Sequence, residues 1–317
     1  MMRASLPTWI EVRVVAPEDW LELVAEALVL GPRDSIAFGR PSLGTAPPAA
    51  GLEYVRASYP SEEDGDTRRA EIALRLGRLA DAVGAPELAG LKATFHILPP
   101  EDWATSWRKS WKPMRVGRFA LVLPEHDGPL RAGDLRLELE PGIAFGTGRH
   151  PTTRQCLAAI SARPLRDARV LDAGTGSGLL AVAAVLAGAR FAFGFDIDPA
   201  CERVAVELAE RNGVRDRCHF ATGGFEALEG PRAGRVDGFD AVLANIYADL
   251  LQRHASTVAK VLHPGGWFAF AGCSAPGAPG TRTAIAAAGL ELEQEPVRGR
   301  WHGFHGTRPR AARPAAG

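Results

Sequence analysis

A glycine-rich turn between an apolar strand and an apolar helix is the part of this sequence best suited to chemistry. The strand-like run ends at Asp172, and three glycines follow it, Gly174, Gly176 and Gly178. Glycine adopts positive φ without strain and lets a ligand approach the backbone closely. A turn of this kind before a helix is typical of nucleotide and nucleoside sites. We therefore predict that Gly174 and Gly176 contact a nucleoside.

An acidic residue stands where the next strand-like run ends. Asp196 lies 22 positions after Gly174, and a carboxylate there can accept hydrogen bonds from both ribose hydroxyls. A dinucleotide fingerprint of the GxGxxG type requires a third glycine at the position of Leu179. The observed GxGxG spacing resembles instead the nucleoside-binding loop of S-adenosylmethionine-dependent methyltransferases. A purely structural glycine turn is the alternative.

The run FDAVLAN predicts a buried strand that ends in Asn245. Ligands of open α/β sheets bind beyond the carboxyl ends of the strands. An Asn at that position can hold a substrate amine through its carbonyl oxygen while the backbone holds its amide nitrogen, which makes Asn245 the candidate catalytic residue. An ordinary helix N-cap is the alternative. Tyr247, two residues later, is expected to pack in the core, or else to contact a cationic centre.

Upstream lies the run PGIAFGTGRHPTT, a glycine loop over residues 142–150 followed by a helix start. The hydroxyls of Thr152 and Thr153 are expected to cap the free backbone N–H groups of that helix. No lysine follows the glycines, so a phosphate loop of the GxxxxGK[ST] type is excluded. His150 has no second metal ligand nearby in sequence, and we expect no metal site there or at His302 and His305.

Length and composition bound the class of protein. The 317 residues suit two domains. Lys plus Arg equals Asp plus Glu, at 37 each, which argues against a polybasic nucleic-acid binder. The start of the chain lacks an apolar signal-peptide core, and Arg190 interrupts the most apolar stretch, 179–195. Widely spaced cysteines without a CxxC pair suit a reducing compartment. We expect a cytoplasmic protein without membrane contact.

The first part of the chain predicts a small α+β domain over residues 1–98. Its elements follow the order βαββαβ, which is typical of ferredoxin-like folds; a Pro/Gly-rich stretch at 41–51 is interpreted as a loop. Residues 99–115 predict a linker helix, in which Trp103, Trp107 and Trp111 share one face.

From residue 116 to 308, strand-like and helix-like runs alternate. This alternation predicts parallel strands connected by crossover helices, a doubly wound α/β domain. The tail 309–317 is short, basic and Pro-containing, and we expect it to be disordered.

Several runs together resemble the ribosomal protein methyltransferase family called PrmA. They are EDWATSWRKSWKP, LELEPGIAFGTGRHPTTRQCL, VLDAGTGSGLLAVAA, GFDIDP, ERNGV, VLANIYADLL and VLHPGGWFAFAG. The resemblance implies a class I, Rossmann-like, seven-stranded methyltransferase domain, with the N-terminal ferredoxin-like domain recognising the substrate. It implies S-adenosyl-L-methionine as cofactor, with contacts at Thr153, Gly174, Asp196 and Asn245.

The same resemblance implies methylation of lysine side chains, and of the N-terminal amine, in the eleventh protein of the large ribosomal subunit. The first hundred residues match only by pattern, and CSAPGAPGTR departs from the family's helix lead-in after Gly272. Three alternatives therefore stay open: lysine methylation of another protein such as electron-transfer flavoprotein, methylation of a small molecule, and an inactive nucleoside-binding module. We expect a monomer that reads no nucleic-acid sequence directly.

Overall fold

The computed structural model describes residues 9–30, 35–38, 48–61, 65–98, 113–126, 128–139, 148, 150–228 and 238–310. The chain forms two compact units, one with the described residues up to 98 and one with those from 113 onward. The predicted linker helix falls outside the described residues except at its last positions, where Met114 and Arg115 are strand. Pro113 precedes them, and proline disfavours continuation of a helix. Most of the 41–51 loop and tail residues 311–317 also lie outside.

The first unit contains four strands and two helices in the predicted order. They are β1 (Trp9–Pro17), α1 (Leu21–Leu28), β2 (Ser35–Phe38), β3 (Leu52–Pro60), α2 (Gly65–Val83) and β4 (Thr94–Leu98), with 3₁₀ turns at Glu18–Trp20 and Pro86–Leu88. The strands form one antiparallel sheet of order β2-β3-β1-β4. Assignment of this unit to the ferredoxin-like class stays a prediction.

Strand β1 shows why this sheet has two unlike faces. Val12 and Val14 are fully buried or nearly so, opposite Ala57 and Val55 of β3. Glu11 and Arg13 lie on the other face, because successive side chains of a strand point to opposite faces. Helix α2 buries Ile72, Leu76 and Ala80 at intervals of four residues, the spacing of a single helix face.

The second unit begins with a small three-stranded sheet: β5 (Met114–Val116), β6 (Phe119–Val122) and β7 (Leu135–Glu138). The large sheet and its helices follow: α3 (Pro151–Ala162), β8 (Arg169–Ala173), α4 (Leu179–Leu186), β9 (Phe191–Asp196), α5 (Pro199–Arg211), β10 (Cys218–Thr222), β11 (Phe239–Asn245), α6 (Ala248–Val261), β12 (Leu262–Ser274), α7 (Ala278–Ala287), β13 (Glu291–Gln294), β14 (Val297–Arg298) and β15 (Trp301–Thr307). The divergent run after Gly272 completes β12 and, after a 3₁₀ turn at Ala275–Gly277, begins α7.

The strand order of the large sheet indicates where a ligand would bind. Seven strands lie side by side as β10-β9-β8-β11-β12-β15-β13, and the short β14 pairs with β15. The first five are parallel, whereas β15 runs antiparallel to both neighbours. From β8 the chain adds β9 and β10 on one side, and it then continues with β11 on the other side of β8. Such a switch point is where open α/β sheets bind ligands, beyond the carboxyl ends of the strands.

Apolar runs supply the core around that switch point. Strand β8 and strand β11 are buried along almost their whole length, as expected for parallel strands covered on both faces. Helix α4 has only apolar residues and buries seven of its eight. All four cysteines are free thiols in buried positions. In the described part of the chain, no helix combines the length and the hydropathy needed to cross a bilayer.

Candidate active site

The glycine turn after β8 has the backbone that its sequence predicts. Gly174, Gly176 and Gly178 all have positive φ, at 72°, 52° and 80°. A Cβ on Gly174 would overlap the side chain of Ile246, and one on Gly178 would lie 2.7 Å from the Cβ of Ala205. The turn therefore requires glycine both for its conformation and for close approach.

The Asp172 side chain forms hydrogen bonds with the glycine turn and with the helix that follows it. This side chain is fully buried, and Oδ2 accepts hydrogen bonds from the Thr175 hydroxyl at 2.7 Å and the Ala181 amide at 3.1 Å. Burial raises the pKa of Asp172 to about 7. Oδ1 is buried without a hydrogen-bond partner among the described residues. The site thus contains an unused acceptor that a cationic or N–H group of a ligand would satisfy.

Asp196 ends strand β9 beside the turn. Its Oδ2 accepts from the Gly176 amide at 2.9 Å, and its Oδ1 accepts from the Asp198 amide at 3.1 Å. A carboxylate offers about four acceptor positions, so both oxygens keep capacity for ribose hydroxyls. The structure adds what sequence reasoning missed: the Gly176 amide orients the carboxylate.

Asn245 and Thr153 meet although 92 positions separate them. The side-chain amide nitrogen of Asn245 donates to the Thr153 hydroxyl at 3.3 Å. The predicted partner of this nitrogen was the backbone, and that expectation is corrected, because Thr153 on the first turn of α3 reaches the end of β11. The arrangement leaves Asn245 Oδ1 to act as acceptor. Thr153 is 1% exposed and Asn245 is half-buried, so only the Thr153 side of this bond is shielded from water.

The cap of helix α3 also differs from the prediction. His150, rather than a threonine hydroxyl, is the N-cap, and its Nδ1 accepts from the Thr152 amide at 3.3 Å. The same nitrogen lies 2.6 Å from the Thr152 hydroxyl, and the ring packs edge-on against Trp301 with centroids 4.8 Å apart. Nothing in the local sequence marks a histidine as a cap. Residues 142–147 and 149 of the predicted loop lie outside the described residues.

Two large apolar side chains are exposed at the same edge of the sheet. Ile197 directly follows Asp196 and is 79% exposed, and Tyr247 follows Asn245 by two positions and is 53% exposed. The expectation that Tyr247 packs in the core is therefore wrong. The residue precedes α6 as its N-cap. Apolar surface beside convergent polar groups is typical of small-ligand sites.

These features fit S-adenosyl-L-methionine. The glycine turn admits a ligand close to the backbone, Asp196 suits its ribose, and the unpartnered Asp172 oxygen suits a cationic ligand. Among the described residues, no group of His, Cys, Asp or Glu is arranged to hold a metal ion. The fold and the site define a class I methyltransferase, the class that uses S-adenosyl-L-methionine.

Comparison with known proteins places the chain within this class. The sequence profile of the family "Ribosomal protein L11 methyltransferase (PrmA)" matches residues 8–309, and the chain belongs to that family. A ribosomal protein L11 methyltransferase of Pelotomaculum thermopropionicum is 35% identical over 310 residues, covering 92% of this chain and 96% of the relative. One from Geobacter sulfurreducens is 38% identical over 271 residues, covering 83% and 86%.

A solved structure agrees with these relatives. The ribosomal protein L11 methylase of Lactobacillus delbrueckii subsp. bulgaricus aligns with a TM-score of 0.56 and 28% sequence identity. The alignment covers 63% of this chain and all of the other. The predicted family and the methyltransferase fold are thereby confirmed.

Proposed function

We propose that this protein transfers methyl groups from S-adenosyl-L-methionine to lysine side chains, and to the N-terminal amine, of ribosomal protein L11. Family membership and relatives named for this activity support the substrate. The observation that carries the chemistry is the hydrogen bond from Asn245 to Thr153 at the carboxyl edge of the sheet. It fixes an amide oxygen beside the glycine turn, where a substrate amine would approach.

The proposed binding roles follow from the contacts of each residue. Asp196 holds the ribose, because its carboxylate is fixed by two backbone amides and retains acceptor capacity. The turn at Gly174 and Gly176 lets the methionine part of the ligand lie against the backbone. Asp172 Oδ1 takes a positively charged or N–H group of the ligand. Such a bond would remove the cost of leaving this buried acceptor unpaired.

The proposed role of Asn245 is to orient the attacking amine. When bound, S-adenosyl-L-methionine supplies a methyl group on a positively charged sulfur. A lysine amine has a pKa of about 10.4 in water, so it must lose a proton before it attacks. Desolvation at this edge of the sheet lowers the amine pKa, and water takes the proton. Asn245 Oδ1 accepts a hydrogen bond from one of the two remaining N–H groups. Positioning of both reactants by the whole site can contribute about 7–11 kcal/mol.

The proposed division of labour assigns substrate recognition to residues 1–98, linkage to 99–115 and catalysis to 116–308. The support is that the site residues all lie in the second unit, while the first unit forms its own sheet and core. Free, buried cysteines support action in the reducing cytoplasm.

Transfer of label identifies the acceptor. Purified protein is incubated with tritiated S-adenosyl-L-methionine and ribosomal proteins from cells that lack this gene, and the labelled species is identified by mass spectrometry. Label on L11 lysines and its N-terminus is expected. Label on another protein, such as electron-transfer flavoprotein, would move the substrate and retain the chemistry. Cofactor binding without any label would show an inactive binding module.

A further inference from the structure

The sheet of the first unit carries a groove with a positive charge excess. On β1, Glu11, Arg13 and Val15 alternate with the buried valines and therefore share the opposite face. A cavity of about 400 Å³ lies over the Arg13 end of this face, lined by Arg13, Val15, Tyr54, Thr94, His96 and the segment 89–92. We call it the basic groove. It has the size of a small-ligand pocket.

One carboxylate serves two guanidinium groups beside this groove. Glu11 accepts from Arg13 Nε at 2.5 Å and from Arg56 at 3.2 Å. Arg13 and Arg56 are direct cross-strand partners, a placement in which like charges destabilise a sheet. Lys92, exposed on the groove's lining segment, adds a third positive charge. Among the described residues, Glu11 therefore pairs with two of these three cations, and Glu53 adds a second negative charge that acts on Arg56.

Arg56 shares the carboxylate of Glu11 with Arg13, so Glu11 does not fully compensate the charge of Arg13. Arg56 is 2% exposed, yet Nε and Nη2 of its guanidinium have no hydrogen-bond partner within the described chain. Burial lowers the pKa of Arg56, and the charge of Glu11 opposes this effect. Buried donors are normally paired, because an unmade hydrogen bond costs its full desolvation penalty. Arg56 does not itself line the groove, so an incoming carboxylate would meet the two cations that do line it, Arg13 and Lys92.

We propose that the basic groove binds an acidic side chain of the protein substrate. This inference rests on the proposed function and adds the chemistry of recognition to it. Apolar walls from Val15 and Tyr54 flank the cations, which suits one carboxylate with its methylenes. A nucleic-acid surface needs a stripe of cations along the backbone, whereas the chain as a whole has no net charge.

Charge reversal at the rim tests the assignment. Lys92→Glu changes an exposed residue and preserves the Glu11 cluster. We expect the KM for free L11 to rise about five- to tenfold, because a like charge then meets the acidic side chain. The kcat and the cofactor Kd should stay unchanged, and the KM should respond less to salt. The matched control is Arg78→Glu, an exposed position on helix α2. Arg13→Gln is a second groove variant, checked for folding by circular dichroism.

The possible outcomes separate failure of the groove assignment from failure of the proposed function. An unchanged KM in both folded groove variants, or an equal rise in the Arg78→Glu control, overturns the groove assignment alone. A methylation defect of the groove variants with intact ribosomes but not with free L11 would assign the groove to ribosomal RNA. That result would also overturn the proposal that the groove binds an acidic side chain. Failure of the wild-type protein to methylate L11 overturns the proposed function and the groove assignment together.

Discussion

Substitution of Thr153 by Val tests how the active site orients its amide. Valine has nearly the shape of threonine and lacks the hydroxyl that accepts from Asn245. Without this acceptor, the Asn245 side chain can rotate and exchange its oxygen and nitrogen. A substrate amine would then meet an N–H group for part of the time. We therefore expect slower methyl transfer at an intact site.

The geometry sets the size of the effect. The bond is neutral and 3.3 Å long, and a hydrogen bond of this kind contributes about 0.5–1.5 kcal/mol. Because Asn245 is only half-buried, water can replace part of the lost bond. A loss of about 1 kcal/mol corresponds to a decrease of about fivefold in the rate constant of methyl transfer. The melting temperature should fall by only a few degrees.

The assay is single-turnover methyl transfer to L11 at saturating cofactor. Thr153→Ser retains the hydroxyl and serves as the control, with a rate near that of the wild type. In an Asn245→Ala background, Thr153→Val should have no further effect on the rate, because the two residues act as one unit. A wild-type rate for Thr153→Val, or full additivity of the two substitutions, would refute the reasoning.

Three further predictions concern the cofactor, the turn and the core. Asp196→Ala should raise the cofactor Kd by about a hundredfold or more, because two hydrogen bonds to a charged group are lost; unchanged affinity in calorimetry would disprove the ribose assignment. Gly178→Ala should destabilise the protein by about 2–4 kcal/mol, through positive φ and overlap with Ala205. Urea unfolding measures this against Gly213→Ala, which has φ of 66° and open space and should cost about 1 kcal/mol. Burial, aided by the charge of Arg163, lowers the pKa of His305 to about 4. Between pH 4 and about 6.5, this proton binds only to the unfolded state. The contribution of His305 to the free energy of unfolding is therefore fully present above pH 6.5 and falls by about 3 kcal/mol as the pH drops to 4. His305→Phe should flatten this fall, and an unaltered urea midpoint curve would count against it.

The elements with strong periodicity could be predicted from sequence. Alternation along β1 and the apolar run before Asp172 correspond to the strands observed. The glycine turn was predictable because only glycine tolerates its positive φ. The region after Gly272 shows the limit of motif matching: its sequence differs from the family's pattern, yet it still forms α7. The helix buries Ala278, Thr281 and Ile285, so it packs against the core without the family's lead-in.

The contacts that complete the site could not be predicted, because they join residues far apart in sequence. The partner of Asn245 is Thr153, on a helix that precedes the motif strand. His150 caps α3 with its ring against Trp301, near the other end of the chain. The pairing of Glu11 with Arg56 needs the register of β1 and β3. Local patterns specify elements, and only the assembled sheets bring these side chains together.

The most direct test of the central claim is the mass of purified L11 after incubation with S-adenosyl-L-methionine and either the wild type or Asn245→Ala. We predict methyl additions on L11 lysines with the wild type, and a greatly reduced rate with an Asn245→Ala protein that circular dichroism shows to be folded. Methylation by this variant at the wild-type rate, or additions confined to residues other than amines, would contradict the account.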